Sequence, residues 1–101
     1  MEITTAAGYQ VAHIPERLDT LNAATVEQEL NTLLENGTKQ LACDFSATRY
    51  VASAGLRVML IMYKKLKAAQ GSLVLLKLNK EVFDVFKLSG FARLMDIRES
   101  L

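Results

Sequence analysis

The chain of 101 residues has no tryptophan, one proline, one cysteine and one histidine, and only 7% of its residues are aromatic. A single cysteine, Cys43, rules out an internal disulfide, and its place in the apolar run LACDF marks it as a buried strand residue rather than a redox or metal group. A reducing compartment is expected. Twelve Lys and Arg stand against eleven Asp and Glu, a net charge of +1, so the basic excess that nucleic-acid binding demands is missing. No segment reaches the ~18 apolar residues of a membrane helix, and the opening MEITTAAGYQ lacks the basic start and long apolar run of a secretion signal. A cytoplasmic setting without membrane insertion is therefore expected. The five glycines, Gly8, Gly37, Gly55, Gly71 and Gly90, stand singly and form no phosphate-cradling loop, so neither bound nucleotide nor any other cofactor is expected.

What is there reads as one domain over residues 1–101, with no linker, repeat or low-complexity tract. Glu2 to Thr5 and Gln10 to Ile14 are short β-like segments that Gly8 lets turn into a hairpin, ended by Pro15. Val26, Leu30, Leu33 and Leu34 form a helical stripe from Ala23, with Thr20 and Asn22 as candidate caps and Asn36 and Gly37 as the stop. LACDF (41–45) suits a buried strand, followed by a loop, SATRYVA. Residues 54–69 form a helix that is apolar almost all round, with Arg57, Lys64, Lys65 and Lys67 as a narrow solvent stripe. LVLLKL (73–78) is a second dense apolar run for a central strand, and Asn79 can cap a helix through Leu88. A short apolar tail around Leu94 and Ile97 closes the chain. This alternation predicts a small α/β domain with a mostly parallel mixed sheet and one antiparallel edge strand.

Loops at the carboxyl ends of parallel strands converge, and there the order of elements places three polar residues: Asp19, Asp44 and Ser53, the last at a helix start. One reading is structural, with Ser53 a helix cap and the two acids bonding loop N–H groups. A hydrolase reading is poor, because VASAG carries Val51 where a nucleophile elbow needs glycine, and the lone His13 precedes the serine. The expectation is that the chain is not an enzyme.

The segment DFSATRYVASAGLRVML (44–60) is similar to the signature of STAS domains, in particular the anti-sigma factor antagonists. RLDTLNAATVEQEL (17–30) looks like the first helix of that family with its leading LD, and FKLSGF (86–91) looks like its later LSG turn. The resemblance implies a STAS-like fold and a partner-switching role. Unmodified, such a protein binds an anti-sigma factor that is also a serine kinase; phosphorylation releases it, and a serine phosphatase resets it. It implies Ser53 as the phosphorylated serine, and a partner-binding surface of Asp19, Asp44, Ala54, Gly55 and Arg57. The family often has an acid or serine directly before the phosphorylated serine, where this chain has Ala52, and Glu16 stands where the family has a glycine. A non-catalytic scaffold subunit of a transport or stress-signalling complex, with Ser53 only a cap, is the alternative.

Overall fold

The computed structural model describes residues 1–101. Strands β1 (Ile3–Ala6) and β2 (Tyr9–His13) form the expected hairpin, turned by Ala7 and Gly8, both with positive φ (52° and 84°). Glycine meets that backbone without steric cost, and Ala7 accepts it because the two-residue turn must match the strand twist. Next come β3 (Arg17–Leu18), helix α1 (Ala23–Glu35), β4 (Gln40–Asp44), β5 (Tyr50–Val51) and helix α2 (Ser53–Ala68). The chain closes with β6 (Ser72–Leu76), helix α3 (Lys80–Leu88), a 3-10 turn at Phe91–Arg93 and β7 (Asp96–Arg98).

The main sheet has the order β1-β2-β4-β6-β7, antiparallel only at β1, which is the mixed sheet with an antiparallel edge that the element order predicts. Side chains alternate across it. Ala12, Ile14, Leu41, Cys43, Phe45, Leu73 and Leu75 join Val26 and Leu30 of α1, Met59 and Met62 of α2, and Val82 and Phe86 of α3 in one core. All three helices therefore cover a single face. Phe45 and Phe86 meet edge to face at 5.9 Å, a favoured aromatic arrangement that locks α3 to the end of β4. The opposite face carries the smaller cluster Val11, Ala42, Val74 and Leu76, with Tyr9 and Leu101 against it. Cys43 is fully buried, and burial pushes its thiol up to about 12, so it remains a protonated core residue as expected.

Two features depart from the sequence reading. The segment read as a plain loop contains β5, which pairs in parallel with β3 as a second sheet of two strands. The apolar tail contains β7, which extends the main sheet beside β6. Asn79 does cap α3: its Oδ1 accepts the Val82 N–H at 2.9 Å, and its Nδ2 donates to the Thr48 carbonyl at 3.2 Å.

Candidate functional site

The small β3–β5 sheet builds the site. Its register sets Arg17 beside Tyr50 and Leu18 beside Val51, and the Ala52 N–H donates to the Leu18 carbonyl at 2.9 Å. Buried Thr48 ties the approach together by donating to the Ile14 and Pro15 carbonyls, and the Arg49 N–H reaches the Glu16 carbonyl. The residues after β3 and after β5, Asp19 and Ala52–Ser53, are consequently carried side by side. Asp19 and Ser53 thus share an edge.

Ser53 is the first residue of α2, not its cap. Ala52 is the N-cap, in extended backbone, and its carbonyl accepts the N–H groups of Gly55 and Leu56. The Ser53 side chain is exposed and makes no hydrogen bond within the chain. One turn on, Arg57 is also exposed, on the solvent stripe the sequence assigns it. Ala54 is half-buried. Gly55 is buried under β3: a Cβ there would lie 2.6 Å from Leu18 Cγ and 2.8 Å from the Leu18 oxygen. Its packing role is to let α2 approach β3 closely.

Asp19 is buried, and each of its carboxylate oxygens accepts a hydrogen bond. Its Oδ2 accepts from Arg17 Nε at 3.1 Å, its Oδ1 accepts the Leu21 N–H at 3.0 Å, and its own N–H donates to Asn22 Oδ1. The Arg17 guanidinium holds this carboxyl below the usual carboxylate range; burial opposes it, and the Leu21 and Asn22 backbone groups assist. Arg17 also stacks on the Tyr50 ring at 4.6 Å. Asp19 is thus a loop-forming and charge-pairing residue.

Asp44 departs from the expected convergence. Cys43 faces the helices, so Asp44 turns to the other face of the sheet, where its Oδ1 accepts the Ser46 N–H at 2.7 Å and its Oδ2 lies 3.8 Å from His13 Nδ1. Burial penalises its charge, but Ser46, Lys77 and His13 together outweigh that and leave its carboxyl below the ordinary value. His13 is occupied there, with Nε2 at 2.8 Å from the Thr4 hydroxyl. No imidazole serves Ser53.

Two exposed residues of this edge escape the sequence reading. Leu21 is 92% exposed in the turn that Asp19 and Asn22 fix, and Tyr50 is 47% exposed beneath Arg17. Leu21 falls outside the apolar stripe of α1, which is the one signal that could have singled it out. A cleft lies at the far ends of α1 and α2, among Leu34, Lys39, Lys65 and Leu66. Ser53 and Arg57 lie on exposed surface.

The model of the STAS domain matches residues 1–101. The chain belongs to the STAS domain family. It is 34% identical over 93 residues to BtrV of Bordetella bronchiseptica, which bears the name anti-sigma factor antagonist, covering 92% of this chain and 80% of that protein. In fold this STAS domain is similar to a Thermotoga maritima protein that bears the name anti-sigma factor antagonist, with a TM-score of 0.90 at 19% identity over 99% of this chain and 86% of that one. It is similar also to the Bacillus cell fate determinant SpoIIAA in its phosphorylated form, with a TM-score of 0.73 at 18% identity over 95% and 88% of the two chains. No helix is long and apolar enough to cross a membrane.

Proposed function

We propose that this STAS domain is an anti-sigma factor antagonist switched by phosphorylation of Ser53. Unmodified, it docks the Ser53 edge on an anti-sigma factor that is also a serine kinase, which frees the sigma factor for transcription. The partner supplies ATP and magnesium. The Ser53 hydroxyl oxygen attacks the γ-phosphorus, the bond to the bridging oxygen of ADP breaks, and the hydroxyl proton passes to a base of the kinase. A serine phosphatase later hydrolyses the phosphate.

The observation that carries this reading is the state of Ser53: an exposed hydroxyl, bonded to nothing, on the first residue of α2 and within the segment that resembles the family's phosphorylated one. A serine serving only as a cap would direct its oxygen to a backbone N–H. Phosphate adds a charge of about −1.5 to −2, which the free protein leaves in water and a desolvated interface leaves unpaired, at a cost of about 2–5 kcal/mol of binding. Arg57, Leu21 and Tyr50 complete the docking edge. Asp19 shapes it from within, and Asp44, on the other face, is left out.

The test pairs affinity for a kinase-type anti-sigma factor with thermal unfolding. Ser53→Asp should weaken binding about tenfold or more, which needs only ~1.4 kcal/mol. Ser53→Ala should bind as the wild type and melt with it, since no hydrogen bond is lost. If kinase and ATP leave Ser53 unmodified, or if all forms bind alike, permanent docking as a scaffold subunit replaces the switch.

A further inference from the structure

We propose that Arg57 captures the phosphate once it is on Ser53, so that modification withdraws this cation from the docking edge as well as adding negative charge. The inference rests on the phospho-switch reading.

Ser53 and Arg57 stand four residues apart on α2, the spacing at which helical side chains are neighbours. Both are exposed, and Arg57 has no ion-pair or hydrogen-bond partner in the chain. Of the other cations near this edge, Arg17 is occupied, since Asp19 holds its Nε at 3.1 Å and the Tyr50 ring lies under its guanidinium, and Arg49 precedes β5, at the end of that strand away from α2. The acids that the sequence sets around Ser53 do not oppose the capture. Asp19 is neutralised by Arg17, and Asp44 faces His13 across the sheet. A phosphate on Ser53 therefore meets one unpaired guanidinium, whose planar fork matches its oxygens.

In the unmodified protein Arg57 is free to meet a carboxylate of the partner. In the phosphorylated protein it is held within its own helix, and a partner carboxylate that paired with it would face phosphate instead. The partner surface that fits this device is acidic where it covers the first turn of α2.

The experiment installs phosphoserine at position 53 during translation, which needs no kinase, and follows the phosphate by phosphorus NMR against pH. A guanidinium at this spacing favours the dianion, so the second phosphate pKa should lie roughly 0.3 unit or more below that of the same protein carrying Arg57→Gln. Arg57→Lys, which keeps the charge and loses the fork, should fall between, and salt should shrink the difference. The Arg57 Nε–H resonance should move on phosphorylation. Equal phosphate pKa values in wild type and Arg57→Gln, with an unmoved guanidinium resonance, would overturn the capture. Because the phosphate is installed directly, this result is independent of whether a kinase modifies Ser53, which the assay of the preceding subsection decides.

Discussion

At the scale of single residues, the edge is defined by which polar groups are already satisfied. Asp19 and Asp44 both accept backbone N–H bonds and both have carboxyls below their ordinary value of 3.8. A carboxylate whose folded pKa is depressed contributes stability above its unfolded value and loses it as pH falls through the lower folded one. Both acids should therefore stabilise the fold near neutrality, and their contribution should vanish on acidification below pH 3.8. Asp44→Asn isolates one of them. Thermal melts should show the wild type more stable than the variant near neutral pH, with the gap closing as the pH drops below the ordinary carboxylate value. A gap that stays constant into acid would show that Asp44 acts by shape and not by charge. Ser53 and Arg57 are the counter-case, exposed groups with no partner within the chain, and that is why the proposed switch is placed on them.

At the scale of elements, the contact between α2 and β3 governs the site. Leu18 is fully buried, and its carbonyl both accepts the Ala52 N–H and lies where a Cβ on residue 55 would fall. Alanine would improve the intrinsic helix propensity of α2 by about 1 kcal/mol. The clash with strand backbone should outweigh that gain, because a backbone oxygen at 2.8 Å cannot swing aside as a side chain does. Gly55→Ala should lower stability by about 1–3 kcal/mol in urea unfolding, the usual cost of overpacking. Because the shift moves the first turn of α2, partner affinity should fall too, without any change to an exposed side chain. Unaltered stability would mean that α2 slides freely over β3, and the rigid presentation of Ser53 would be lost as an explanation.

At the scale of the whole molecule, a sheet covered by helices on one face leaves the proposed docking edge at the ends of β3 and β5, with Ser53 exposed upon it. Calorimetric titration of the isolated chain with ATP or GTP should give no binding heat, since in the proposed switch the partner supplies the phosphoryl donor; a micromolar constant would contradict this division of labour. Read alone, the sequence determined the hairpin, the three helices, the two central strands and the serine at the start of α2. Those features depend on short-range physics: helical periodicity, turn residues at Gly8, a cap at Asn79 and dense apolar runs. Only the tertiary structure decided the rest. The two-residue strands β3 and β5 carry no periodic signal of their own and exist because each pairs with the other across more than thirty residues of chain. Asp44 was misplaced because β4 is apolar on both faces up to that point, so LACDF shows no alternation from which to tell the helix side from the other. The resemblance offers Gly55 as a contact residue, and the close approach of Leu18 that gives it a packing role is invisible in the sequence. What distinguishes Arg57 from Arg17 is partly local, the Asp19 carboxylate two residues after Arg17, and partly spatial, the Tyr50 ring that the β3–β5 pairing brings beneath the Arg17 guanidinium.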